Sequence, residues 1–160
     1  MLLSEFQIRA ATNQDIPFIK KVVFPSLREF GLSPDENGKD KDLNDIENNY
    51  LSNNGFFGVV VHTETNQMVG CFGLFPVNES VCELRKMYLL KESRGKGLGK
   101  FILNFAIRTA REKHYKKIIL ETIAVLTTAI ALYKRYGFTE IKPKEINARV
   151  DQAFELDIEP

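Results

Sequence analysis

The amino-acid sequence predicts a single α/β domain over residues 1–160, with strands first and strand–helix alternation in the second half. Two β-rich segments, residues 56–62 and 68–75, are separated by a short polar stretch and indicate an antiparallel hairpin. Residues 98–110 carry apolar side chains at helical spacing, and the β-branched segment 117–122 follows directly. No internal repeat or linker divides the chain, so we expect one domain.

The composition of the chain excludes several classes of protein. Hydrophobic residues make up 44% and charged residues 27% of the 160 positions, which excludes collagen-like and extensively disordered chains. No apolar run approaches the roughly 18 residues that a membrane span needs, and residues 1–9 lack the pattern of a signal peptide. We therefore expect a cytoplasmic protein with no membrane partner.

The charge of the chain is unevenly distributed although its total is small. The formal net charge is +1, from 22 Lys and Arg and 21 Asp and Glu, so the whole chain gives no reason to expect a nucleic-acid partner. Residues 85–117, however, hold eleven Lys or Arg against two acids. This local excess favours one small anionic ligand at one place. Cys71 and Cys82 lack the spacing of a zinc site, so we expect small core residues and no metal.

The start of the chain predicts a strand and then a helix. Residues 7–10 form the candidate strand, and Thr12 is placed to cap a helix that starts at Asp15. Pro25 falls inside the apolar pattern of this helix. Because proline removes a helical hydrogen bond, we expect a kink or a break at this position.

An acidic tract, residues 33–49, follows this helix. It carries six acids and two lysines, and its first half contains Pro and Gly and predicts an exposed loop. The spacing of Leu43, Ile46 and Tyr50 allows a helix in the second half. Acidic loops of this kind are usually solvated, although this one is also placed to attract a cationic ligand.

In the strand predicted over residues 81–90, four alternating apolar residues are even-numbered in the first half and odd-numbered in the second. The residues concerned are Cys82 and Leu84 before the change and Met87 and Leu89 after it. One extra residue near Arg85–Lys86, a β-bulge, would return all four to one face, and we favour this arrangement. The alternative is a strand without a bulge, in which Tyr88 and Leu90 face a second core.

The end of the chain predicts one more helix and one more strand. Residues 129–136 form a short helix with Gly137 as its C-cap. Residues 153–158 form the last strand, which brings the predicted strands to six.

A glycine-rich loop, Arg94-Gly-Lys-Gly-Leu-Gly99, leads from the strand at 81–90 into the helix that follows. Exposed amides at such a helix start bind phosphate. A dinucleotide-binding G-x-G-x-x-G is excluded because Lys100 stands where its last Gly would be. A P-loop is excluded because Arg94 and Phe101 stand where it needs Gly and Ser or Thr. The loop has the form Q/R-x-x-G-x-G/A instead.

This loop resembles the pyrophosphate loop of the GNAT superfamily of N-acetyltransferases. Glu83-Leu-Arg-Lys-Met-Tyr-Leu89 resembles the family's fourth strand, and Ala129-Ile-Ala-Leu-Tyr-Lys-Arg-Tyr-Gly-Phe138 resembles its A-x-x-L-Y-x-x-x-G-F helix. The resemblance covers residues 56–140 and implies one GNAT domain over 1–160. Its fold would be a mixed, mostly antiparallel twisted sheet of six to seven strands, flanked by helices, with a splayed central strand pair. Acetyl-CoA would be the cosubstrate, and the protein would be a monomer or homodimer.

The resemblance implies a set of coenzyme-binding residues. Backbone groups of Met87, Tyr88 and Leu89 would bind the pantetheine arm, and the Met87 amide would point at the thioester carbonyl. The pyrophosphate would lie on the loop and helix start, at Arg94, Gly95, Lys96, Gly97, Leu98, Gly99 and Lys100. One position departs from the family, because Leu126 stands where many members have an Asn that contacts the coenzyme.

The resemblance also implies the groups that move protons. Tyr133 matches the tyrosine near the coenzyme sulfur, which can protonate the thiolate; the alternative is a core tyrosine. Glu83, eleven residues before Arg94, matches the base of histone-type members. Glu121, twelve residues before Tyr133, matches the base of members that act on protein N-termini. We favour Glu83, and the other glutamate is then a polar residue on a strand surface.

We therefore expect an N-acetyltransferase that moves the acetyl group of acetyl-CoA to a primary amine by direct attack. The acceptor is expected to be a small-molecule amine or an amino acid, bound between residues 24–49 and 142–152. The alternatives are a protein N-terminal or lysine acetyltransferase, a non-catalytic acyl-CoA-binding module, and a nucleic-acid-binding protein that uses the basic stretch.

Overall fold

The computed structural model describes residues 3–159, in which one mixed sheet of seven strands lies between two helical layers. The strands are β1 (Phe6–Ala10), β2 (Phe56–His62), β3 (Met68–Pro76), β4 (Val81–Leu89), β5 (Lys117–Thr122), β6 (Thr139–Ile141) and β7 (Gln152–Asp157). Their order is β1-β2-β3-β4-β5-β7-β6, antiparallel throughout except for the parallel pair β4–β5. The expected mixed sheet is confirmed; residues 1, 2 and 160 of the expected domain lie outside the described range.

Four helices in this range cover the two faces of the sheet. They are α1 (Ile16–Glu29), α2 (Ile46–Asn49), α3 (Leu98–Glu112) and α4 (Thr127–Arg135). Side-chain alternation along β2 shows why there are two layers: Val59 and Val61 pack with α1 and α2, whereas Val60 packs with α3 and α4. None of these four helices is long and apolar enough to cross a membrane.

Helix α1 continues through Pro25 to Glu29, so of the kink or break expected at this proline, the break is wrong. Pro25 has no amide proton and leaves the carbonyl of Lys21 without its helical partner. Both residues are exposed, so water can bond that carbonyl. On the buried side of the same turn, the Ser26 hydroxyl donates to the Val22 carbonyl at 2.8 Å. The proline is tolerated because its missing hydrogen bond faces solvent.

The acidic tract is less helical and less exposed than its sequence predicts. A 3₁₀ turn at Lys41–Asn44 and the single turn of α2 stand in place of the longer helix. The apolar residues are fully buried against the sheet, namely Leu43, Ile46 and the adjoining Tyr50. Two acids are buried with them, since Asp40 is 0% and Asp42 is 7% exposed. The expectation of a solvated acidic loop is therefore wrong at these two positions.

The second half of the chain has the predicted order of elements and one additional strand. Helix α4 begins at Thr127, two residues before its expected start, and ends in a Schellman motif. In this motif Gly137 has a φ of +92°, and the Phe138 amide donates to the Tyr133 carbonyl at 3.1 Å. The additional strand is β6, which has three residues and is too short to show a period in the sequence.

Strand β4 contains the expected β-bulge. Its pairing with β3 shifts so that Phe72 alone lies opposite Lys86 and Met87. Lys86 takes a left-handed conformation with a φ of +53°. The apolar residues on either side of the bulge pack against the α3–α4 layer, and these are Cys82, Leu84, Met87 and Leu89. The bulge is confirmed, and Tyr88 and Leu90 nevertheless face the second core beside α1.

Strands β4 and β5 separate partway along their length. They pair over three residues, 81–83 against 117–119, and the bulge begins soon afterwards. The expected splayed pair is confirmed, and it opens a gap at the centre of the sheet.

Candidate active site

An open groove of about 1210 Å³ lies where β4 and β5 separate. It is lined by the loop after β4, the starts of α3 and α4, and parts of residues 38–49 and 147–150. Thirteen site residues are predicted from the sequence, and eleven of them line this groove. The other two are Lys96 and Leu98. Residues that are far apart in the sequence therefore meet in one space.

The loop between β4 and α3 presents backbone amides to the groove. Gly95 and Gly97 have φ values of +73° and +85°, which residues with a side chain rarely adopt. The Phe101 amide donates to the Gly97 carbonyl at 3.1 Å, and the helix amides before it precede the first helical hydrogen bond. Lys100 and Arg135 add positive charge to the same groove. Amides at a helix start together with cations favour a phosphate ligand.

Three residues of this loop do not present a side chain to a ligand in the groove. Leu98 is 1% exposed, so its amide is the group that can face a ligand. Lys96 is exposed and does not line the groove. Gly99 lies against α4, where a Cβ would stand 3.2 Å from the Leu132 Cδ2 atom. This glycine allows the two helices to approach closely.

Arg94 joins the loop to two neighbouring elements. Its Nη1 atom donates to a Glu29 carboxylate oxygen at 2.8 Å, and its Nε atom donates to the Leu89 carbonyl at 3.2 Å. The charge of Arg94 is therefore partly balanced by the Glu29 carboxylate at the end of α1. The amides of the loop, with Lys100 and Arg135, are the groups left to attract a phosphate.

The segment Met87–Leu89 runs along the gap with one edge free of any strand, although the Leu89 carbonyl accepts a hydrogen bond from Arg94. It pairs with β3, but it lies beyond the last residue pair between β4 and β5. Within the described chain its β5-facing backbone groups thus have no strand partner. A linear ligand with amide groups could pair with this edge as an added strand does.

Tyr133 on α4 is buried and also lines the groove. It is 7% exposed, and its hydroxyl lies 3.9 Å from the Met87 Sδ atom. Burial raises the pKa of Tyr133, and the nearby Tyr88 adds to the effect. A phenol is protonated at neutral pH with or without this shift, so Tyr133 carries a proton, and the raised pKa makes it a weaker acid.

Glu83 forms an ion pair with Arg85, two residues along the same strand. The Arg85 guanidinium also stacks on Phe75, with 3.8 Å between its central carbon and the ring centroid. A general base needs a lone pair directed at the substrate. Arg85 therefore occupies one of the two oxygens of Glu83.

Glu121 lies on the same side of the sheet as Glu83. Glu83 pairs with Ile119, and Glu121 is two residues further along β5 and so shares its face. No ion pair involves Glu121 among residues 3–159. Glu121 is exposed, but partial loss of its hydration raises its pKa; the charge of Glu83 adds to this, and Arg85 opposes it. A carboxylate with a raised pKa is the stronger proton acceptor.

A buried ionic cluster, formed by Asp40, Asp42, Lys86 and Arg149, lies beside the bulge. Arg149 donates to both Asp40 oxygens, at 2.7 and 2.8 Å. Lys86 Nζ lies 3.0 Å from Asp40 Oδ1 and 3.4 Å from Asp42 Oδ1. Burial acts against ionisation, but Arg149, a backbone amide and Lys86 hold the pKa of Asp40 at about 2. The cluster connects the loop that holds Asp40 and Asp42, and the loop that holds Arg149, to Lys86 on β4.

Arg85, Lys86 and Arg149 line the groove, although none of them is assigned to the site from the sequence. Arg85 is two residues after Glu83 on β4, so the alternation of the strand places the two on one face, and this is the signal in the sequence that could have identified Arg85. Arg149 lies 109 residues from its partner Asp40, so no local pattern connects them. Such long-range pairs are visible only in the folded chain.

The cysteines do not contribute to the groove. Cys71 and Cys82 are buried on opposite faces of the sheet, and neither lines the groove. Burial raises the pKa of each thiol to about 12, so both stay protonated at neutral pH. Across residues 3–159, no three His, Cys, Asp or Glu side chains are grouped as metal ligands would be.

Comparison with known proteins gives the family of the chain. The family model described as the acetyltransferase (GNAT) family matches residues 24–138. The chain belongs to the GNAT family. The Escherichia coli protein named uncharacterized N-acetyltransferase YjgM is 37% identical over 139 residues, which are 84% of this chain and 82% of that protein. This GNAT protein is accordingly an enzyme of the acyltransferase class.

Solved structures show the same fold. An acetyltransferase of the GNAT family from Staphylococcus aureus Mu50 has a TM-score of 0.87 and 25% identity, over 96% of this chain and 99% of that one. Spermidine N-acetyltransferase from Vibrio cholerae, in complex with CoA and spermine, has a TM-score of 0.70 and 21% identity, over 95% and 94%. The GNAT fold predicted from the loop and the α4 motif is confirmed.

Proposed function

We propose that this GNAT protein transfers the acetyl group of acetyl-CoA to a primary amine by direct attack, with both molecules bound together. The observation that carries the proposal is the single groove. It collects a phosphate-type loop, the unpaired edge of Met87–Leu89, a buried acid (Tyr133) and an available carboxylate (Glu121). A coenzyme and an amine would therefore meet in one continuous space.

The proposed position of the coenzyme follows from the chemistry of the groove. Its pyrophosphate would lie on the amides of the loop and the first turn of α3, with Lys100 and Arg135 balancing the charge. Its pantetheine amides would pair with the edge at Met87–Leu89. The spermidine acetyltransferase that shares this fold was solved with CoA, which supports this assignment.

The proposed oxyanion donor is the amide of Met87. As the amine attacks, negative charge grows on the thioester oxygen, and a fixed N–H group stabilises it. The left-handed conformation of Lys86 turns the following peptide out of the regular ladder of β4. The bulge thereby supplies a donor that a regular strand would use for pairing.

The proton transfers are assigned to Glu121 and Tyr133. A C–N bond forms and the C–S bond breaks, so the amine loses a proton and the coenzyme thiolate gains one. Glu121 would accept the proton from the amine, because Glu83 is held by Arg85. Tyr133, the buried phenol beside Met87 in the groove, would donate the proton to the thiolate. No cysteine takes part, because both thiols lie outside the groove.

Initial-rate kinetics test this proposal. Acetyl-CoA and an amine are varied together while thiol release is measured. We expect release that requires the amine, with intersecting double-reciprocal lines, as attack within a ternary complex predicts. Parallel lines would contradict direct attack. Tight coenzyme binding without release on any amine would instead indicate a non-catalytic binding module.

A further inference from the structure

The acceptor half of the groove is the part lined by Glu83, Arg85, Lys86, Glu121 and Arg149. It is not the acidic pocket that the neighbouring tract predicts. Over residues 3–159, eight Lys or Arg and three Asp or Glu line the whole groove. Three of these cations, Arg94, Lys100 and Arg135, line the coenzyme half. In the acceptor half, Lys86 and Arg149 are paired with Asp40.

The acids of the tract are already neutralised. Asp40 lies between Arg149 and Lys86, with contacts of 2.7 and 3.0 Å. Asp42 accepts a hydrogen bond from the Tyr50 hydroxyl and lies 3.4 Å from Lys86. Their charge is used within the fold, so neither is available to attract a cationic substrate.

Arg85, in contrast, has unused donors. Its Nε atom donates to Glu83, and the guanidinium stacks on Phe75, with its central carbon 3.8 Å from the ring centroid. Neither terminal nitrogen makes a hydrogen bond to any part of the chain that the structure describes, and the side chain is 32% exposed toward the groove. A fixed guanidinium with two free N–H groups on one edge matches a carboxylate, which it binds through two parallel hydrogen bonds.

Arg85 and Glu121 each follow by two residues the last paired positions of β4 and β5, Glu83 and Ile119. Both side chains share one face of the sheet, at the point where β4 and β5 part. An α-amino acid carries its amine on the carbon next to its carboxylate. One such molecule can therefore present its carboxylate to Arg85 and its amine to Glu121.

We infer that the acceptor is a zwitterionic amino acid whose carboxylate binds the terminal nitrogens of Arg85 while its amine faces Glu121. This inference rests on the proposed function, because it names the molecule that supplies the amine. In the reaction the α-nitrogen forms the C–N bond, its proton passes to Glu121, and the C–S bond of the thioester breaks. The acceptor carboxylate stays unchanged and serves for binding.

Matched acceptors test the inference. Each L-amino acid is compared with its methyl ester and its decarboxylated amine, with thiol release as the readout. We expect kcat/KM to be about 10- to 100-fold higher for the amino acid, because the charge-assisted bonds to its carboxylate are lost in both analogues. The two analogues change amine basicity in opposite directions, so a preference over both cannot come from basicity.

Variants of Arg85 connect the preference to this side chain. We expect Arg85→Gln to raise KM for the amino acid about tenfold or more and to reduce the preference over the ester toward one. Arg85→Lys, which keeps the charge but loses the planar fork, should lie between Arg85→Gln and the wild type. Arg108→Gln is the matched control, because Arg108 also stacks on a phenylalanine, Phe105, but lies on α3 outside the groove.

The outcomes separate this inference from the proposed function. Equal or faster acetylation of esters, polyamines or peptide N-termini would overturn the inference and leave the acetyltransferase proposal standing. Unchanged amino-acid preference in Arg85→Gln would also overturn it. If no class of amine supported thiol release, both the inference and the proposed function would be overturned.

Discussion

Lys86 Nζ lies 3.0 Å from the Oδ1 atom of Asp40, which joins the left-handed residue of the β4 bulge to a fully buried carboxylate of the acidic tract. Arg149 binds the same carboxylate from the loop before β7. The conformation of the bulge is therefore fixed by charges from two loops as well as by strand pairing. The proposed oxyanion donor, the amide of Met87, directly follows this residue.

Replacing Lys86 should destabilise the fold. In Lys86→Met the buried acids lose one of their cations, and we expect the free energy of unfolding to fall by about 3 kcal/mol. Urea denaturation measures this change. Lys116→Met is the matched control, because its ion pair with Glu159 is 63% and 57% exposed. The control should lose less than about 1 kcal/mol, and equal losses in the two variants would contradict a structural role for the cluster.

Asp40 should make stability depend on acidity. Its pKa in the folded protein is about 2, below the ordinary value of 3.8. Because the pKa is lowered on folding, ionised Asp40 adds about 2 kcal/mol to the free energy of unfolding. This contribution is complete above about pH 4 and is lost as the pH falls toward 2. Unfolding free energies of the wild type and Asp40→Asn, measured from pH 6 to pH 2, should converge at the acid end. A difference that does not change with pH would contradict this assignment.

Gly97→Ala should weaken coenzyme binding more than its effect on stability explains. Gly97 and Gly31 have similar φ values, +85° and +75°, and Gly31 lies outside the groove. Each alanine variant should lose about 1 kcal/mol of stability because of the left-handed backbone. Calorimetry should show about tenfold weaker CoA binding for Gly97→Ala and unchanged binding for Gly31→Ala. The same affinity in both variants would argue against a phosphate site on this loop.

The parts of the site that could be predicted are those with a local pattern. The parity change along β4 predicts the bulge, and the glycine spacing predicts the loop before α3. The buried pairs of Asp40 with Lys86 and Arg149 could not be predicted, because partners far apart in sequence meet only in the folded chain. That the helix does not break at Pro25 could not be predicted for a related reason, since the cost of the proline depends on whether the freed carbonyl faces water.

Glu121 and Glu83 should differ in their effect on the pH profile. The pKa of Glu121 is raised, so the acid limb of kcat/KM that it contributes should lie at higher pH than for an ordinary carboxylate. Glu121→Gln should remove this limb and lower kcat. In Glu83→Gln the limb should remain, because this change frees Arg85 and acts mainly on acceptor KM. The opposite pattern would identify Glu83 as the base.

Tracing the acetyl group itself tests the central proposal most directly. Acetyl-CoA with an isotopically labelled acetyl group is incubated with the protein and a mixture of amino acids, and the products are analysed by mass spectrometry. The Tyr133→Phe variant is compared with Tyr115→Phe, which loses a partly buried hydroxyl outside the groove. We expect label on an amine nitrogen, an equal amount of free CoA, and transfer that is about 10- to 100-fold slower in Tyr133→Phe alone. Label that stays on acetyl-CoA with every amine class offered, or that accumulates on the protein, would contradict it.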